Sequence, residues 1–526
     1  MRNSLFVLFI GILISLTSCR EDFDFETSNG GLGFSKDTVY LDTVFTNVGS
    51  STYTLMVYNK SDKDIKIPTI QLAKGQNSKY RMTVDGMTGN NNRVFNNIEL
   101  LAKDSLYIFI ETTAEIIDAN PTDFLYTDQI LFDVGTKEQK VELVTLIQDA
   151  YFIYPNRENG VYDSIDYGLD EEGEVTRVLG RLLQENHPEN GNEYVWGNDK
   201  PYVVYGFATV PENKTLTVNP GARIHFHADS GIIVQEGGTL NVNGTPSTTE
   251  ALENEVIFEG DRLEPGFADV PGQWATVFFQ EGSKNHTISH LTIKNALIGL
   301  MAVNNFENPI AISNTKIYNS AIYGILGQHA KIDAFNTVIN SNSRGVASLA
   351  CVLGGAYNFT HCTINNERST SSHVSVLLSN FVRDANNEPV TLPLTEANFN
   401  NCIIYGSNSR QLLISKDDSQ PFEFKFDHCL IKYDKAGNQE LINSPLLQFD
   451  DNLHYINNLI ARNSSEFKPQ FLNTEKNQLM IGDDSAAKGA ANFNFSTGIF
   501  ANDILGNVRT NPSDIGAYNA IVFPED

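Results

Sequence analysis

Two patterns of apolar and polar positions divide this chain. From Phe34 to Asp149 the two classes alternate over short runs, among them TVYLDTVF from Thr38, YTLMVYN from Tyr53, DIKIPTIQL from Asp64, SLYIFIET from Ser105, DQILFDV from Asp128 and KVELVTLI from Lys140. A period of two sends successive side chains to opposite faces, so each run predicts a strand with one buried face. With the turn-rich TVDGMTGNNN from Thr83 and no long helical period, residues 34–149 are expected to form a β-sandwich of roughly seven strands.

After Pro201 the runs shorten, and Asn-Pro-Gly, Gly-Gly and Asn-Gly turns separate apolar pairs such as Leu216/Val218, Ile232/Val234 and Leu240/Val242. From His286 onward a repeat emerges: apolar, any, apolar, any, Asn or His, small, any, Ile. It fits HTISHLTI, IAISNTKI, IDAFNTVI, YNFTHCTI, ANFNNCII, FKFDHCLI and, more loosely, LHYINNLI. The isoleucine anchors are Ile293, Ile317, Ile339, Ile364, Ile404, Ile431 and Ile460, separated by 24, 22, 25, 40, 27 and 29 residues. A fixed period of this length predicts a solenoid in which equivalent residues stack. One interior ladder is then Ile288, Ile312, Ala334, Phe359, Phe399, Phe426 and Tyr455, and the isoleucines form a second. His290, Asn314, Asn336, His361, Asn401, His428 and Asn457 form a turn ladder, where a side-chain amide can bond its own turn and the turn above. Gly299, Gly324 and Gly345 are expected at a further corner that permits positive φ.

The stacking bears on the most suggestive chemistry in the chain. THCTIN from Thr360, NNCIIYG from Asn400 and DHCLIKY from Asp427 tempt a cysteine–histidine metal reading. Successive strands lie ~4.8 Å apart, so the outer two of Cys362, Cys402 and Cys429 would be about 9.6 Å apart. Two sulfurs on one zinc cannot exceed ~4.6 Å. Parallel neighbours also hold their Cβ atoms wider than a disulfide prefers. Leu291, Thr315, Thr337 and Asn458 fill the same slot elsewhere, so the expectation is buried free thiols and no metal. His225 and His227 share a strand face without a third ligand and read as a polar outer face; Trp274 reads as packing.

These segments also carry family resemblances. VPENKTLTVNPGARIHFHADSGIIVQEGGTLNVNGT, NEVIFEGD and GQWATVFFQEGS resemble the first coils of right-handed parallel β-helix proteins of bacterial envelopes. The likeness implies an all-β fold with that architecture over 201–526. The closing DSAAKGA…DILGNVRTNPSDIGAYNA resembles the final segment of many such proteins and is expected to cap the last coil, because an open parallel edge invites other chains. The strand order of 34–149, with a strand ending in Asn59 before a polar turn, resembles immunoglobulin-like envelope domains. Residues 150–200, polar and acidic, are expected to be a connector.

MRNSLFVLFIGILISLTSC combines Arg2, an apolar run from Leu5 to Leu16 and a terminal cysteine, which is the layout of an export signal over 1–18. LTSC resembles a bacterial lipobox, implying acylation of Cys19 and attachment to the outer membrane through the lipid. The following REDFDFE, within an acidic tether over 19–33, resembles the export tag of Bacteroidetes surface lipoproteins and implies display outside the cell.

A formal charge of −27 removes nucleic acid from the partners. No D-x-D-x-D-G loop is present to hold Ca²⁺, so no cofactor is expected. The widest spacing, between Ile364 and Ile404, marks an excursion, and a ligand site is expected there around Arg368, His373, Arg383 and Asp384. A second excursion, KYDKAGNQELINSPLLQFDDN from Lys432, precedes the last repeat. The NTD and GHG patterns of the hydrolases with this fold are absent, so the reading leans against catalysis. It favours a binding or adhesion module for glycans, the alternatives being a polysaccharide lyase or glycoside hydrolase, or a structural partner of an envelope protein complex.

Overall fold

The computed structural model describes residues 24–524 apart from 121–123, 134–136, 170–173, 342–345, 368–372, 385, 436 and 464. Cys19 and residues 1–18, expected to be an export signal, lie outside the described residues, and no described helix is long and apolar enough to cross a membrane. The chain is nearly all β and divides into two compact units at Asp149/Ala150.

The first unit contains a six-stranded and a four-stranded sheet. In the larger, Ile65–Leu72 lies antiparallel to Val94–Leu100 and Leu125–Phe132, and Gln139–Gln148 joins Leu125–Phe132 to Thr38–Phe45. The smaller is antiparallel throughout, in the order Leu32–Phe34, Tyr53–Asn59, Ser105–Thr112 and Tyr80–Val84. Their inward residues, Val39, Ile67 and Ile130 from one sheet and Leu55, Met82 and Ile108 from the other, form one buried core, as the period-two runs require. Asn59 closes its strand from inside: Nδ2 donates to the carbonyls of Lys63 (2.7 Å) and Leu101 (2.9 Å), and Oδ1 accepts from Ser61 N (3.0 Å).

The second unit is built on two large sheets. One has 11 strands, every neighbouring pair parallel and in chain order, from Tyr151–Ile153 to Leu459–Ala461. The other has 18 strands and is parallel except for the hairpin Ser164–Leu169/Val175–Leu182. The anchors pair in unbroken sequence from Ile293↔Ile317 to Ile431↔Ile460. The second ladder pairs Ile288 through to Tyr455 in the same way. Its aromatic end stacks ring on ring, with centroids 5.0 Å apart for Phe359/Phe399, 4.9 Å for Phe399/Phe426 and 5.6 Å for Phe426/Tyr455. Near the strand spacing, each ring meets its neighbour's face across the core.

Four features differ from the sequence reading. Residues 150–200 are not a connector. Tyr151–Ile153 pairs with Tyr202–Val204 and Val195–Trp196 with Thr215–Val218, while Arg181 Nη1 and Nη2 hold Glu193 at 2.7 and 2.5 Å deep inside the unit. Second, the C-terminal segment does not cap the last repeat but runs along the outside of the 11-stranded sheet. There Leu479, Ile504, Ala517 and Tyr518 cover Val338, while Ile481, Ala487 and Ile515 cover Ile403 and Leu430. Those outward apolar residues need the cover more than the terminal edge does. Third, the end of the core is covered by the second excursion, whose Leu447 is buried in it and whose Tyr433 and Phe449 pack beside Tyr455. Fourth, Gly299 and Gly324 have no positive φ; a Cβ on either would lie 2.8 or 2.5 Å from Cγ2 of Ile317 or Ile339. They are small because the isoleucine ladder approaches closely. Gly345 is outside the described residues.

Candidate functional site

The Asn/His ladder shows what holds the repeats in register. All seven residues are left-handed, with φ of 49, 47, 46, 52, 53, 51 and 50° from His290 to Asn457. Asn and His are among the few non-glycine residues that tolerate this region. Their side chains link repeat to repeat and repeat to the C-terminal segment. Asn336 Nδ2 donates to Asn314 Oδ1 (3.0 Å) and to Asn502 O (2.9 Å), while Asn401 Nδ2 donates to His361 Nε2 (3.1 Å) and Asn492 O (3.0 Å). His361 is fully buried, its Nδ1 facing Gly516 O at 3.3 Å. Burial and the nearby Arg509 guanidinium hold it well below the usual histidine range, so it is a neutral tautomer that donates on one side and accepts on the other. Arg509, itself buried, donates through Nη2 to Asn336 Oδ1 (2.9 Å), Gly516 O (3.1 Å) and Ala517 O (3.3 Å). The middle of this flank, Asn336, His361 and Asn401, is buried and occupied by structure.

The cysteines belong to the same scheme. Cys351, Cys362, Cys402 and Cys429 are buried and unbridged. Each row member donates its thiol to a carbonyl of the preceding repeat's ladder residue: Cys362 to Ala334 (3.7 Å), Cys402 to Phe359 (3.4 Å) and Cys429 to Phe399 (3.2 Å). No group of three or more ligating side chains occurs among the described residues. His225 is buried, where an outer position was expected, with Glu259 at 3.8 Å; His227 is half-exposed, bonded to Asp261 (2.7 Å) and stacked on Tyr205. Trp274 lies fully in the core against Phe226 at 4.3 Å and donates to Lys294 O (2.8 Å).

The residues expected to form a loop site do not converge. Arg368 lies outside the described residues. His373 is buried, directly before Val374–Ser379, a strand of the 18-stranded sheet. Arg383 and Asp384 belong to a small hairpin, Phe381–Arg383 with Pro389–Thr391. Asp384 Oδ1 accepts from the backbone N–H of Asn386 (2.9 Å) and Glu388 (2.8 Å), and Arg383 Nη1 donates to Asn387 O (2.7 Å), so both shape the turn.

A groove elsewhere has the character those residues lack. The unspecified positions of the repeat point away from the core, and on the 18-stranded sheet they form two adjoining rows. One row is Asn241, Thr287, Ala311, Asp333, Asn358 and Asn398; the next includes Ser289, Ser313, Phe335 and Thr360. With Ile499 and Phe500 of the C-terminal segment, Thr287 to Asn358 of the first row and Ser289 to Thr360 of the second line a cavity of about 440 Å³. Phe335 and Phe500 meet edge to face at 5.2 Å, forming an aromatic wall beside the hydroxyl, amide and carboxylate groups. The polar row is itself ordered: Asn398 Nδ2 donates to Asn358 Oδ1 (2.9 Å), and Asn358 Nδ2 donates to Asp333 Oδ1 (2.9 Å) and Glu396 Oε2 (3.1 Å). Sequence reasoning passed over these residues because the repeat is recognised by its inward positions. Their alternation with the apolar ladder was the available signal.

No protein-family model matches the sequence and no curated protein matches it. Among solved structures, the E. coli chaperone DraB aligns with 27% of this chain at 14% identity and a TM-score of 0.16, the match spanning 61% of DraB. A family 123 glycoside hydrolase from Clostridium perfringens aligns with 23% at 7% identity, a TM-score of 0.17 and 27% of its own length. The periplasmic chaperone SfaE aligns with 22% at 16% identity, a TM-score of 0.15 and 58% of its length.

Proposed function

We propose that this chain is a lipid-anchored glycan-binding module of the cell surface, in which an immunoglobulin-like sandwich precedes a right-handed parallel β-helix. The observation that carries the binding role is the groove walled by Phe335 and Phe500 and floored by Ser289, Ser313, Asp333 and Asn358. Sugars present apolar C–H faces and a rim of hydroxyls, and an aromatic wall beside ordered donors and acceptors answers both. In-register strands repeat the polar row at ~4.8 Å, which suits a ligand that is itself a repeat. The parallel registers support the helical winding, and the LTSC and REDFDFE stretches support anchoring and display.

A carbohydrate array probed with the mature chain tests the role. Binding is expected, and Phe335→Ala or Phe500→Ala is expected to weaken it about tenfold, equivalent to ~1.4 kcal/mol. Absence of any glycan hit, or affinity untouched by both substitutions, defeats the proposal. A hydrolase reading is favoured by one observation: Asp333 and Glu396 bond the same Asn358 nitrogen. That places their bonded oxygens no more than about 6 Å apart by hydrogen-bond length, near the ~5–5.5 Å of retaining glycosidases. New reducing ends from an array hit, lost in Glu396→Gln, would establish it; binding without turnover keeps the first reading.

A further inference from the structure

The covered end of the core contains a second cavity, chemically unlike the groove. Asn458 and Ile460 hold the last places in two interior rows, and the excursion after Lys432 covers them incompletely. A cavity of about 790 Å³ remains between the last repeat, that excursion and the segment around Phe467. Its apolar surface includes Ile460, Phe449 and Phe467. Phe467 is 43% exposed and left-handed at φ 42°, a strained backbone for a bulky residue, of the kind that gathers at ligand sites.

Two cations, Lys435 and Arg462, open into the same space. Neither forms an ion pair among the described residues, in a chain whose formal charge is −27. The Lys435 ammonium stands 5.1 Å from the Phe449 ring centroid. Burial lowers its pKa, the Asp450 carboxylate of the same wall raises it and Arg462 lowers it again. Three carboxylates also line the wall, Asp434, Asp450 and Glu466, and Glu466 is turned to the backbone N–H of Arg462 (3.2 Å). Aromatic and aliphatic surface beside two unpaired cations calls for an anion with an apolar face. The wall carboxylates disfavour a phosphate dianion and leave a single negative charge as the better fit.

We propose that this end cavity binds a small carboxylate carried on a ring, the carboxylate between Lys435 and Arg462 and the ring against Phe449 and Phe467. A sugar acid and an aromatic acid share this chemistry. The site is separate from the groove and does not depend on the glycan-binding reading.

Calorimetry on the mature chain would compare methyl glucuronide with methyl glucoside, and phenylacetate with 2-phenylethanol. At least one acid is expected to bind ten times more tightly than its neutral counterpart, and which one does identifies the source. The Lys435→Gln/Arg462→Gln double variant should erase that preference, while Phe500→Ala in the groove should leave it intact. Should the double variant not fold, Asp450→Asn takes its place and is expected to tighten acid binding severalfold by removing a competing charge. No preference for either acid, a preference that survives the folded double variant, or an Asp450→Asn protein that binds no more tightly would overturn the proposal.

Discussion

The two outer flanks of the repeats are both rich in asparagine and do different work. Along one runs the turn ladder from His290 to Asn457; along the other run Asn241, Thr287, Asp333, Asn358 and Asn398. The first is Asn with His, the second Asn with Thr, Ala and Asp, and each carries side-chain bonds from repeat to repeat. The first is covered over Asn336, His361 and Asn401 by the C-terminal segment and clamped there by Arg509, so the polar atoms of these three are spent on structure. The second keeps its outer side open to a cavity. What separates a scaffold from a site here is cover, and composition does not distinguish them.

Substitutions on each flank test that difference. The largest effect is expected from Arg509→Met, which leaves Asn336 Oδ1 and two carbonyls buried without their charged donor. Urea denaturation should show a loss of about 3 kcal/mol, on the scale of hydrogen bonds to charged groups. A loss below ~0.5 kcal/mol would mean that the C-terminal segment is held by its apolar contacts alone.

The covered flank should also carry a pH dependence. Burial lowers the pKa of His361 well below the usual value and that of His286 to about 4. With folded pKa values below the unfolded one near 6.5, the unfolded chain takes up protons first. Stability is therefore complete above about pH 6.5 and declines as pH falls toward 4, by up to ~1.4 kcal/mol per pH unit for each histidine. His361→Asn, which places a sister ladder residue in the slot, should flatten part of this decline in melts at pH 7 and pH 5. An unchanged slope would show that His361 titrates normally.

Smaller still is the difference between two replacements of Asn401. Alanine loses the amide bonds and must also hold a φ of 53°, whereas glycine loses only the bonds. Asn401→Gly should be the more stable by about 1 kcal/mol. Equal stability would remove backbone conformation as the reason for the ladder's composition. On the open flank, Thr287→Ala should change stability by less than ~0.5 kcal/mol, despite breaking a 2.9 Å bond to Asn241. A large loss there would make both flanks structural and weaken the groove as a site.

Much of the second unit was legible before its structure. The repeat anchored on isoleucine located both interior ladders and the turn ladder to the residue, because a side chain that must stack on its equivalent leaves a period in the sequence. It also placed Cys362, Cys402 and Cys429 in one row, where they lie buried and unbridged. Strands such as Thr38–Phe45, Tyr53–Asn59 and Ser105–Thr112 in the first unit follow from alternation alone. Outside the periodic region the reading failed at definite places. Residues 150–200 read as a connector because nothing local shows that Arg181 and Glu193 meet. The loop around Arg383 and Asp384 looked available because a long spacing does not reveal that its polar groups close their own turn.

Two roles were exchanged for the same reason. The segment expected to cap the end covers the side, and the excursion after Lys432 covers the end, leaving a cavity there. Sequence alone determined which residues face inward, because burial of apolar area is written into local alternation and period. Tertiary structure decided which outward residues remain open, because cover comes from segments far away in the chain. The site follows from the second decision: Asp333, Asn358 and Phe335 become a groove only where Phe500 comes to lie beside them.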